Sequence, residues 1–456
     1  MSSDAQERVD LITGNPEKAI RHLSWPVMVS MFLMMSYNMA DIIWVAGLGT
    51  DAMAALGFVS PLFAIIVGIG GGVGAGATSL IARCIGAQDK IRANNAALHS
   101  MGLTILVCIF LSILSALVLK DVAILMGAAD VLDLTLEYGY IVFICSFAII
   151  IPAVGAAILR AEGDMKRATI AIAITAIINI IIDPIFIYVL NWGLRGAAWA
   201  TVLSSLIAGA VIFYWILIKK DTYLSLKYED FKYDVSIIKD ILLVAIPASL
   251  EELLMSSVGI IINFMLVIVG GTVAVAVFTA GWRLIALGIV PVLGIGVAGI
   301  TVAGAAYGAR DYEKIKRTYI YSLKLGLITS IPLTILACVF APQIALAFSY
   351  SDVSSSLAPL ITNAIPVLSL VFIAIPFGFI PACFFQAFGK GIHSLVLTIL
   401  REVVLIVIFA YILGFTLSFG EVGIWWGVII GDFAGAFVGI LVLNKFLKKL
   451  KKEFAT

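Results

Sequence analysis

The sequence predicts an all-α membrane protein with twelve transmembrane helices in two pseudo-symmetric six-helix bundles. Of the 456 residues, 62% are apolar and only 12% are charged, whereas soluble domains are about half apolar and a quarter charged. A soluble fold could not bury this excess, because its water-facing surface would also have to be built from apolar side chains. The composition therefore excludes a soluble enzyme, a nucleic-acid-binding protein and a disordered chain.

Twelve apolar blocks, separated by charged residues or by Gly and Pro, are long enough to cross a bilayer as helices. We predict spans at residues 23–45, 53–80, 95–119, 135–158, 168–190, 196–217, 240–268, 273–303, 322–341, 358–386, 394–415 and 422–444.

The placement of Lys and Arg supports twelve crossings. With this number of spans, 25 of the 29 basic residues fall on one side of the membrane, and only Lys120 and Arg195 fall on the other. The positive-inside rule therefore predicts a plasma-membrane protein with both termini in the cytoplasm. Four acidic residues precede the first apolar block, so we expect no cleavable signal peptide.

The chain repeats itself at an offset near 222 residues. Residues 86–89 (GAQD) recur as residues 308–311 (GARD), LRAEGD at 159–164 has a counterpart in FQAFGK at 385–390, and Pro26 corresponds to Pro247. Since six is even, two six-helix halves cross the membrane in the same direction. We predict a cytoplasmic N-terminal segment (1–22), an N-lobe (23–217), a cytoplasmic linker (218–239), a C-lobe (240–444) and a basic tail (445–456).

Two carboxylates lie deep within predicted helices of the first half, Asp41 and Asp183. An ionisable side chain at mid-membrane costs several kcal/mol and is usually functional. Asn179 lies one turn before Asp183, on the same helical face, and Thr201 of the sixth span offers another oxygen.

No Lys or Arg is predicted within the membrane in this half, so the counter-charge for the two acids must come from solution. Carboxylate, amide and hydroxyl oxygens are hard ligands that suit Na⁺ or H⁺. Asp41, Asn179, Asp183 and Thr201 are therefore a candidate cation site. The alternative is that each aspartate caps a kinked helix through local hydrogen bonds.

The second half carries charges of both signs within its predicted helices. They are Glu251, Glu252, Arg283, Arg401, Glu402 and Asp432. Two arginines and four acids partly neutralise one another. Two interpretations stay open, a fixed ion-pair network that braces this lobe and a role in binding a substrate cation. The difference between the halves predicts that ion coupling belongs to the first.

Met34 and Trp44 of the first span are candidates for lining a substrate cavity, with lipid-facing packing as an equal alternative. The sequence contains no Ser-His-Asp set, no HExxH motif and no nucleotide-binding domain. We therefore expect neither an enzyme nor an ATP-driven pump, and we expect no cofactor.

Several segments resemble those of the multidrug and toxic compound extrusion (MATE) transporters of the MOP superfamily, and most resemble the archaeal DinF-like branch. They are YNMADIIWVAGLG in the first span, LRAEGD after the fourth, NIIIDPIFIY in the fifth and AAYGARD after the eighth. The resemblance covers essentially the full chain. It implies a V-shaped, monomeric pair of lobes that exports cationic or amphipathic compounds in exchange for H⁺ or Na⁺ by alternating access.

The resemblance also implies roles for particular residues. It assigns Asp41, Asn179, Asp183 and Thr201 to the cation site, Tyr37 to the adjoining hydrogen-bond network, and Pro26 to a bend in the first helix. Related archaeal members have asparagines in the pocket where this chain has Ala153 and Ala156, and a polar residue where it has Met34. The pocket is therefore more apolar here, and drug contacts do not transfer directly.

Two rival functions stay open. A flippase for lipid-linked saccharides requires basic residues along the central cavity for a diphosphate; none is predicted in the first half, whereas Arg283 and Arg401 of the second half are available. An intramembrane transferase requires a nucleophile with a base or a metal site, and the sequence contains no such arrangement.

Overall fold

The computed structural model describes residues 3–219, 221–226, 231–348 and 355–455. Within these ranges the regular secondary structure is helical, and the chain forms no β-strand. It divides into two compact units. The N-terminal unit contains Met1–Asn15 and Val29–Ser249, and the C-terminal unit contains Pro16–Met28 and Leu250–Thr456. Lys220 and residues 227–230 of the predicted linker lie outside the described residues.

The first half of the chain forms eight helices within the described ranges. They are α1 (Ser3–Thr13), α2 (Pro16–Ala46), α3 (Thr50–Gly86), α4 (Lys90–Leu125), α5 (Leu132–Ile144), α6 (Phe147–Ala161), α7 (Met165–Pro184) and α8 (Gly193–Phe213). Helices α7 and α8 continue as π-helical turns over Ile185–Val189 and Tyr214–Lys219.

The remaining described helices belong mainly to the second half. They are α9 (Val235–Gly288), α10 (Val290–Gly308), α11 (Tyr312–Val339), α12 (Ala341–Phe348), α13 (Ala358–Ser369), α14 (Val371–Ala387), α15 (Gly391–Thr398), α16 (Ile406–Tyr411) and α17 (Gly420–Ala455). A π-helical segment, Ile399–Leu405, joins α15 to α16, and another, Ile412–Thr416, follows α16.

The helices confirm the predicted all-α membrane protein. Eleven helices of the described chain are long and apolar enough to cross a membrane, and the pair α5 and α6 counts as a twelfth span if its two parts are taken together. This pair bends by 42° at Cys145 and Ser146, where the sequence analysis predicted one continuous helix.

Helix α9 contains the predicted span 240–268 and the first part of the predicted span 273–303, which continues as α10 after a break at Ile289. Its 54 residues would extend about 80 Å as one straight helix, far more than the ~30 Å hydrocarbon layer. At Gly271 the backbone leaves the helical region, with φ 64° and ψ −158°. Because Gly259 and Trp282 line the same cavity, the chain reverses at this glycine. Gly49, which is 222 residues earlier, also has a positive φ, of 105°.

The internal repeat is visible in the backbone of two turns. Gln88 and Arg310 have positive φ values of 59° and 55°, a conformation that is uncommon for residues other than glycine. The next residue in each turn, Asp89 or Asp311, accepts a hydrogen bond at 2.9 Å from a backbone N–H of the following helix and so caps its N-terminus. The same turn is therefore built in both halves.

A row of glycines on α17 permits close packing against α16 and the π-helical segments beside it. Gly423, Gly427, Gly431 and Gly435 follow one another at four-residue intervals and therefore lie on one helical face. A Cβ on Gly431 would lie 2.5 Å from the Cα of Ile406. Small residues at such a spacing let helix backbones approach closely in a membrane.

The N-terminal segment folds as α1 and contacts both the turn after α6 and the linker. Arg8 Nη2 donates to the backbone oxygen of Asp221 at 2.7 Å, and Arg8 Nη1 lies 3.3 Å from Asp164 Oδ2. The Arg167 guanidinium donates to both carboxylate oxygens of Asp221, at 2.7 and 2.5 Å. These hydrogen bonds lower the pKa of Asp221 to about 2.

Glu162 of the same turn is almost completely buried, at 1% exposure. One of its carboxylate oxygens accepts hydrogen bonds from the backbone N–H groups of Tyr223 and Leu224, at 2.9 and 3.1 Å. Burial raises the pKa of this carboxyl to about 7, against the opposing effect of the two hydrogen bonds and of Arg8. Charged and backbone contacts thus hold the turn after α6, helix α1 and the linker together within the N-terminal unit.

Candidate functional site

The candidate site lies in the N-terminal unit around a cavity of about 200 Å³. Tyr37 and Asp41 of α2 are four residues apart, so they lie on one helical face, and both line this cavity. Thr201 of α8 and Tyr138 of α5 face them across it. The structure therefore brings together three of the residues that the sequence analysis selected from two distant segments.

Asn179 and Asp183 lie one turn apart on α7 and are buried, at 1% and 0% exposure. The amide of Asn179 donates to Asp183 Oδ1 at 3.2 Å. Asp183 is within electrostatic range of Asp41. Pro184 follows immediately and has no N–H to donate, and the backbone widens into the π-helical turn Ile185–Val189.

Three oxygens of this cluster lack a hydrogen-bond donor among the described residues. They are Asp41 Oδ1, Asn179 Oδ1 and Asp183 Oδ2. Within the described ranges, no Lys or Arg forms an ion pair with either aspartate; the ion pairs of this unit involve other acids. Buried carboxylates without a partner are unfavourable, so the cluster requires positive charge from a proton or a small cation.

The sequence analysis missed Tyr138. Its side chain is 5% exposed, and its hydroxyl faces Thr201 within electrostatic range of Asp41, Asp183 and Tyr37. The phenol can donate a hydrogen bond to one of these oxygens and accept one from another. A tyrosine in an apolar helix carries no charge that marks it, so only the fold reveals this role.

A second cavity, of about 240 Å³, adjoins the first, because Tyr37 and Phe63 line both. Met34 lines the second cavity, as do Ala153 and Ala156. Its walls are mainly apolar, as the sequence analysis expected from these three residues. The candidate cation site and the larger apolar cavity therefore share the side chains of Tyr37 and Phe63.

One arginine of the first half borders the second cavity, whereas the sequence analysis expected the basic residues of this region to lie outside the predicted spans. Arg160 belongs to the last turn of α6 and lines the second cavity. It was placed in the loop after the fourth span because the charge pattern could not distinguish the last helical turn from the loop. Arg160 is not paired with Asp41 or Asp183.

Trp44 and Pro26 lie apart from these two cavities. The backbone oxygen of Trp44 accepts a hydrogen bond from the Tyr188 hydroxyl, and the two rings meet edge to face at 6.5 Å. Pro26 lies in the part of α2 that belongs to the C-terminal unit. The substrate-contacting role of Trp44 and the bending role of Pro26 stay predictions.

The C-terminal unit gathers part of its predicted polar network. Arg401 Nη2 donates to Glu402 Oε1 at 2.5 Å, and Arg401 Nη1 lies 3.5 Å from Asp432 Oδ1. Glu251 accepts from the amide of Gln386 at 3.1 Å.

The other two charged residues of the predicted network, Glu252 and Arg283, are exposed. Arg283 lines the same cavity as Arg401, Glu402 and Asp432. The buried part of the network is therefore centred on Arg401, and the side chains of Glu252 and Arg283 lie outside this buried part.

Comparison with known proteins agrees with this architecture. The family model described as MatE matches residues 26–185 and 247–412. The multidrug export protein MepA of Staphylococcus haemolyticus is 25% identical over 443 residues, 96% of each chain. An FAD transporter of Shewanella oneidensis is 26% identical over 416 residues, 88% of each chain.

Solved structures agree as well. The crystal structure of a MATE protein in complex with MaL6 is 40% identical and superimposes with a TM-score of 0.95, over 97% of this chain and 99% of that one. The family match spans most of both repeated halves, and the structural match extends over nearly the whole chain. This chain therefore belongs to the MatE family, the multidrug and toxic compound extrusion transporters, and is a multi-pass membrane transporter and not an enzyme.

Proposed function

We propose that this transporter exports cationic or amphipathic compounds in exchange for inward H⁺ or Na⁺, which binds at Asp41, Asn179, Asp183 and Thr201. The observation that carries the proposal is the set of three buried oxygens without donors beside two aspartates without ion pairs, within the described chain. The proposed orientation has both termini in the cytoplasm of a plasma-membrane protein, supported by the distribution of Lys and Arg.

The shared wall of the two cavities supports coupling between ion and compound. An ion or proton at Asp41 removes the negative charge that faces Tyr37, and Tyr37 also borders the apolar cavity that contains Met34. An organic cation in the apolar cavity is attracted by the uncompensated acids. Binding of H⁺ or Na⁺ to the acids removes that attraction and favours release of the compound. The coupling ion and the organic cation therefore oppose each other's binding although they occupy different sites.

A reconstituted transport assay tests this proposal. Vesicles that contain the purified protein are loaded with ethidium, and proton and sodium gradients are imposed separately. Asp41→Asn keeps the shape of the side chain but removes its charge, and we expect gradient-driven transport to fall by about tenfold or more. The matched control is Asp51→Asn, an exposed aspartate in the first turn of α3, which should retain wild-type transport.

Normal ethidium transport by Asp41→Asn at normal expression would contradict the assignment of the cation site. A gradient-independent transport rate in the wild type would contradict coupling itself. The two gradients, applied one at a time, also determine whether H⁺, Na⁺ or both drive the exchange.

One observation favours a second candidate, the transport of an amphipathic phosphate compound. Arg160 provides a guanidinium at the wall of the apolar cavity, and arginine binds phosphate oxygens well. A relative of this chain is an FAD transporter. If this function is correct, FAD enters the vesicles with the wild type and Arg160→Gln loses FAD transport while it keeps ethidium transport. Absence of FAD transport by the wild type would exclude it, and the same vesicles with a lipid-linked saccharide test the flippase alternative.

A further inference from the structure

The C-terminal unit contains a cavity of about 280 Å³. Several of its lining residues occupy sequence positions equivalent to those that line the acid-lined cavity of the N-terminal unit. A shift of 222 residues, the offset of the repeated turns, takes five of the ten residues that line the first cavity onto residues that line the second. The pairs are Tyr37 with Gly259, Asp41 with Asn263, Leu56 with Phe278, Ser60 with Trp282, and Phe63 with Ile285. The two cavities are therefore counterparts within the repeat.

The charges at equivalent positions differ between the two halves. In the helix that follows LRAEGD and FQAFGK the offset is 226, as the positive φ values of Gly163 and Gly389, 86° and 72°, show. This offset places uncharged Phe409 at the position of Asp183 and uncharged Leu405 at the position of Asn179. It places Arg401 at the position of Thr175, one helical turn before the counterpart of Asn179, and Arg401 lines the C-terminal cavity together with Gly259 and Asn263. The C-terminal counterpart has thus lost the two aspartates and gained a cation.

The acids of the C-terminal cavity are supplied from new positions around this cation. Glu402 is the next residue in the chain, and Asp432 comes from α17. The guanidinium of Arg401 contacts both, at 2.5 Å and 3.5 Å, and all three side chains are at most 13% exposed. The C-terminal unit therefore holds two carboxylates around a positive charge that belongs to the chain itself.

The helices beside Arg401 provide space for its side chain. A Cβ on Gly378 of α14 would overlap Nη1 and lie 2.7 Å from Cδ, and a Cβ on Gly435 of α17 would lie 2.6 Å from Cβ of Arg401. Only glycine at these two positions leaves room for the arginine without a shift of the backbone or of the side chain. The site is thus shaped around the guanidinium from two helices.

We propose that Arg401 is a tethered cation, whose guanidinium permanently fills the C-terminal counterpart of the site that the N-terminal unit leaves for an ion from solution. As an account of transport, this inference rests on the proposed function. It means that the N-terminal site exchanges its cation with solution, whereas the C-terminal site keeps the guanidinium of Arg401. Removal of the arginine side chain should then create a vacant site for a planar, monovalent, hydrogen-bond-donating cation.

Chemical rescue tests this directly. The purified variant Arg401→Ala, in an Asp41→Asn background, is unfolded thermally at pH 7.5 in guanidinium chloride at millimolar concentrations or in NaCl at the same ionic strength. Loss of a buried charge partner should lower the midpoint by about 5 °C or more. Guanidinium should restore at least half of the lost midpoint temperature, whereas NaCl should restore less. In the parent, where Arg401 is intact, neither salt should change the midpoint beyond the effect of ionic strength.

The Asp41→Asn background removes one of the two N-terminal carboxylate charges, and the parent reports any guanidinium that binds near Asp183, so a failure of the transport proposal does not alter this readout. Arg195→Ala is the matched control, because Arg195 pairs with Glu137 at 2.7 Å at an exposed position and should show no rescue. If Arg401→Ala does not fold, Arg401→Gln fills part of the space and removes the charge, and it should gain a stabilisation by guanidinium or Na⁺ that the parent lacks. Equal responses of variant and parent to every cation would overturn the inference.

Discussion

The side-chain amide of Asn179 donates a hydrogen bond to Asp183 at 3.2 Å, while the amide oxygen of the same residue has no donor among the described residues. The donor part of Asn179 thus holds the aspartate in one orientation, and its acceptor part points to a ligand that would bring positive charge. In the proposed cation site, one side chain therefore positions Asp183 and also offers an oxygen to the ion.

We predict that Asn179→Ala weakens cation binding more than it weakens the fold. It removes one ligand oxygen and the only side-chain donor that the described residues offer to Asp183. The expected result is a rise of about tenfold or more in the cation concentration that gives half-maximal transport, measured in vesicles over a series of imposed gradients. Asn444→Ala on the exposed end of α17 is the control. Equal half-maximal concentrations in the two variants would contradict the prediction.

Much of the site could be predicted because charge in a membrane is rare and therefore informative. Asp41 and Asp183 were evident for this reason, and the four-residue spacing of Asn179 and Asp183 located their common face. Tyr138 and Arg160 could not be placed in the same way, because a tyrosine has no charge and because an arginine near a membrane boundary is consistent with either a loop or a last helical turn.

The fold shows the same division between what could be predicted and what could not. Spans followed from apolar length, and the turn at Gly271 fell in the predicted gap between spans 240–268 and 273–303. The bend at Cys145 and Ser146 lies within a continuous apolar block and depends on packing against other helices. The short helix α1 is polar, so neither hydropathy nor charge distinguished it from an extended segment.

The glycine row of α17 gives a stability prediction with a matched control. Gly431→Ala places a methyl group 2.5 Å from the Cα of Ile406, so the two backbones must separate. We expect the free energy of unfolding to fall by roughly 1–3 kcal/mol, measured by titration with a denaturing detergent. Gly57→Ala on α3 meets no described atom within 4 Å and should stabilise by up to about 1 kcal/mol. Two changes of the same sign and size would show that close packing at Gly431 is unimportant.

The turn after α6 should make stability fall as the pH rises. Burial raises the pKa of Glu162 from 4.5 to about 7, so the folded chain binds this proton more tightly than the unfolded chain does. The resulting stabilisation is complete below about pH 4.5, declines up to about pH 7 and is absent above it. Glu162→Gln, which cannot ionise, should lack this decline. Thermal midpoints of both proteins between pH 4 and 8 provide the comparison, and parallel curves would refute the expectation.

Asp221 predicts the opposite dependence at lower pH. The hydrogen bonds from Arg167 lower its pKa from 3.8 to about 2, so the charged form stabilises the fold above about pH 3.8, and this stabilisation is lost as the pH falls through about 2. Asp221→Asn should therefore melt below the wild type at pH 6 and approach it near pH 2. The exposed Asp130→Asn is the control and should follow the wild type throughout. A constant difference between Asp221→Asn and wild type would count against the ion pair.

The paired turns at Gln88 and Arg310 have a consequence for the history of the chain. Two copies of one unusual backbone geometry indicate descent from a single six-helix ancestor that was duplicated and fused, which an even number of crossings allows without inversion of either copy. Such an ancestor would have paired with itself and carried the same acids in both partners. After fusion, one copy was free to lose its two aspartates and to acquire the arginine now at 401, a change closed to a symmetric dimer because it would have removed the proposed ion site from both partners at once.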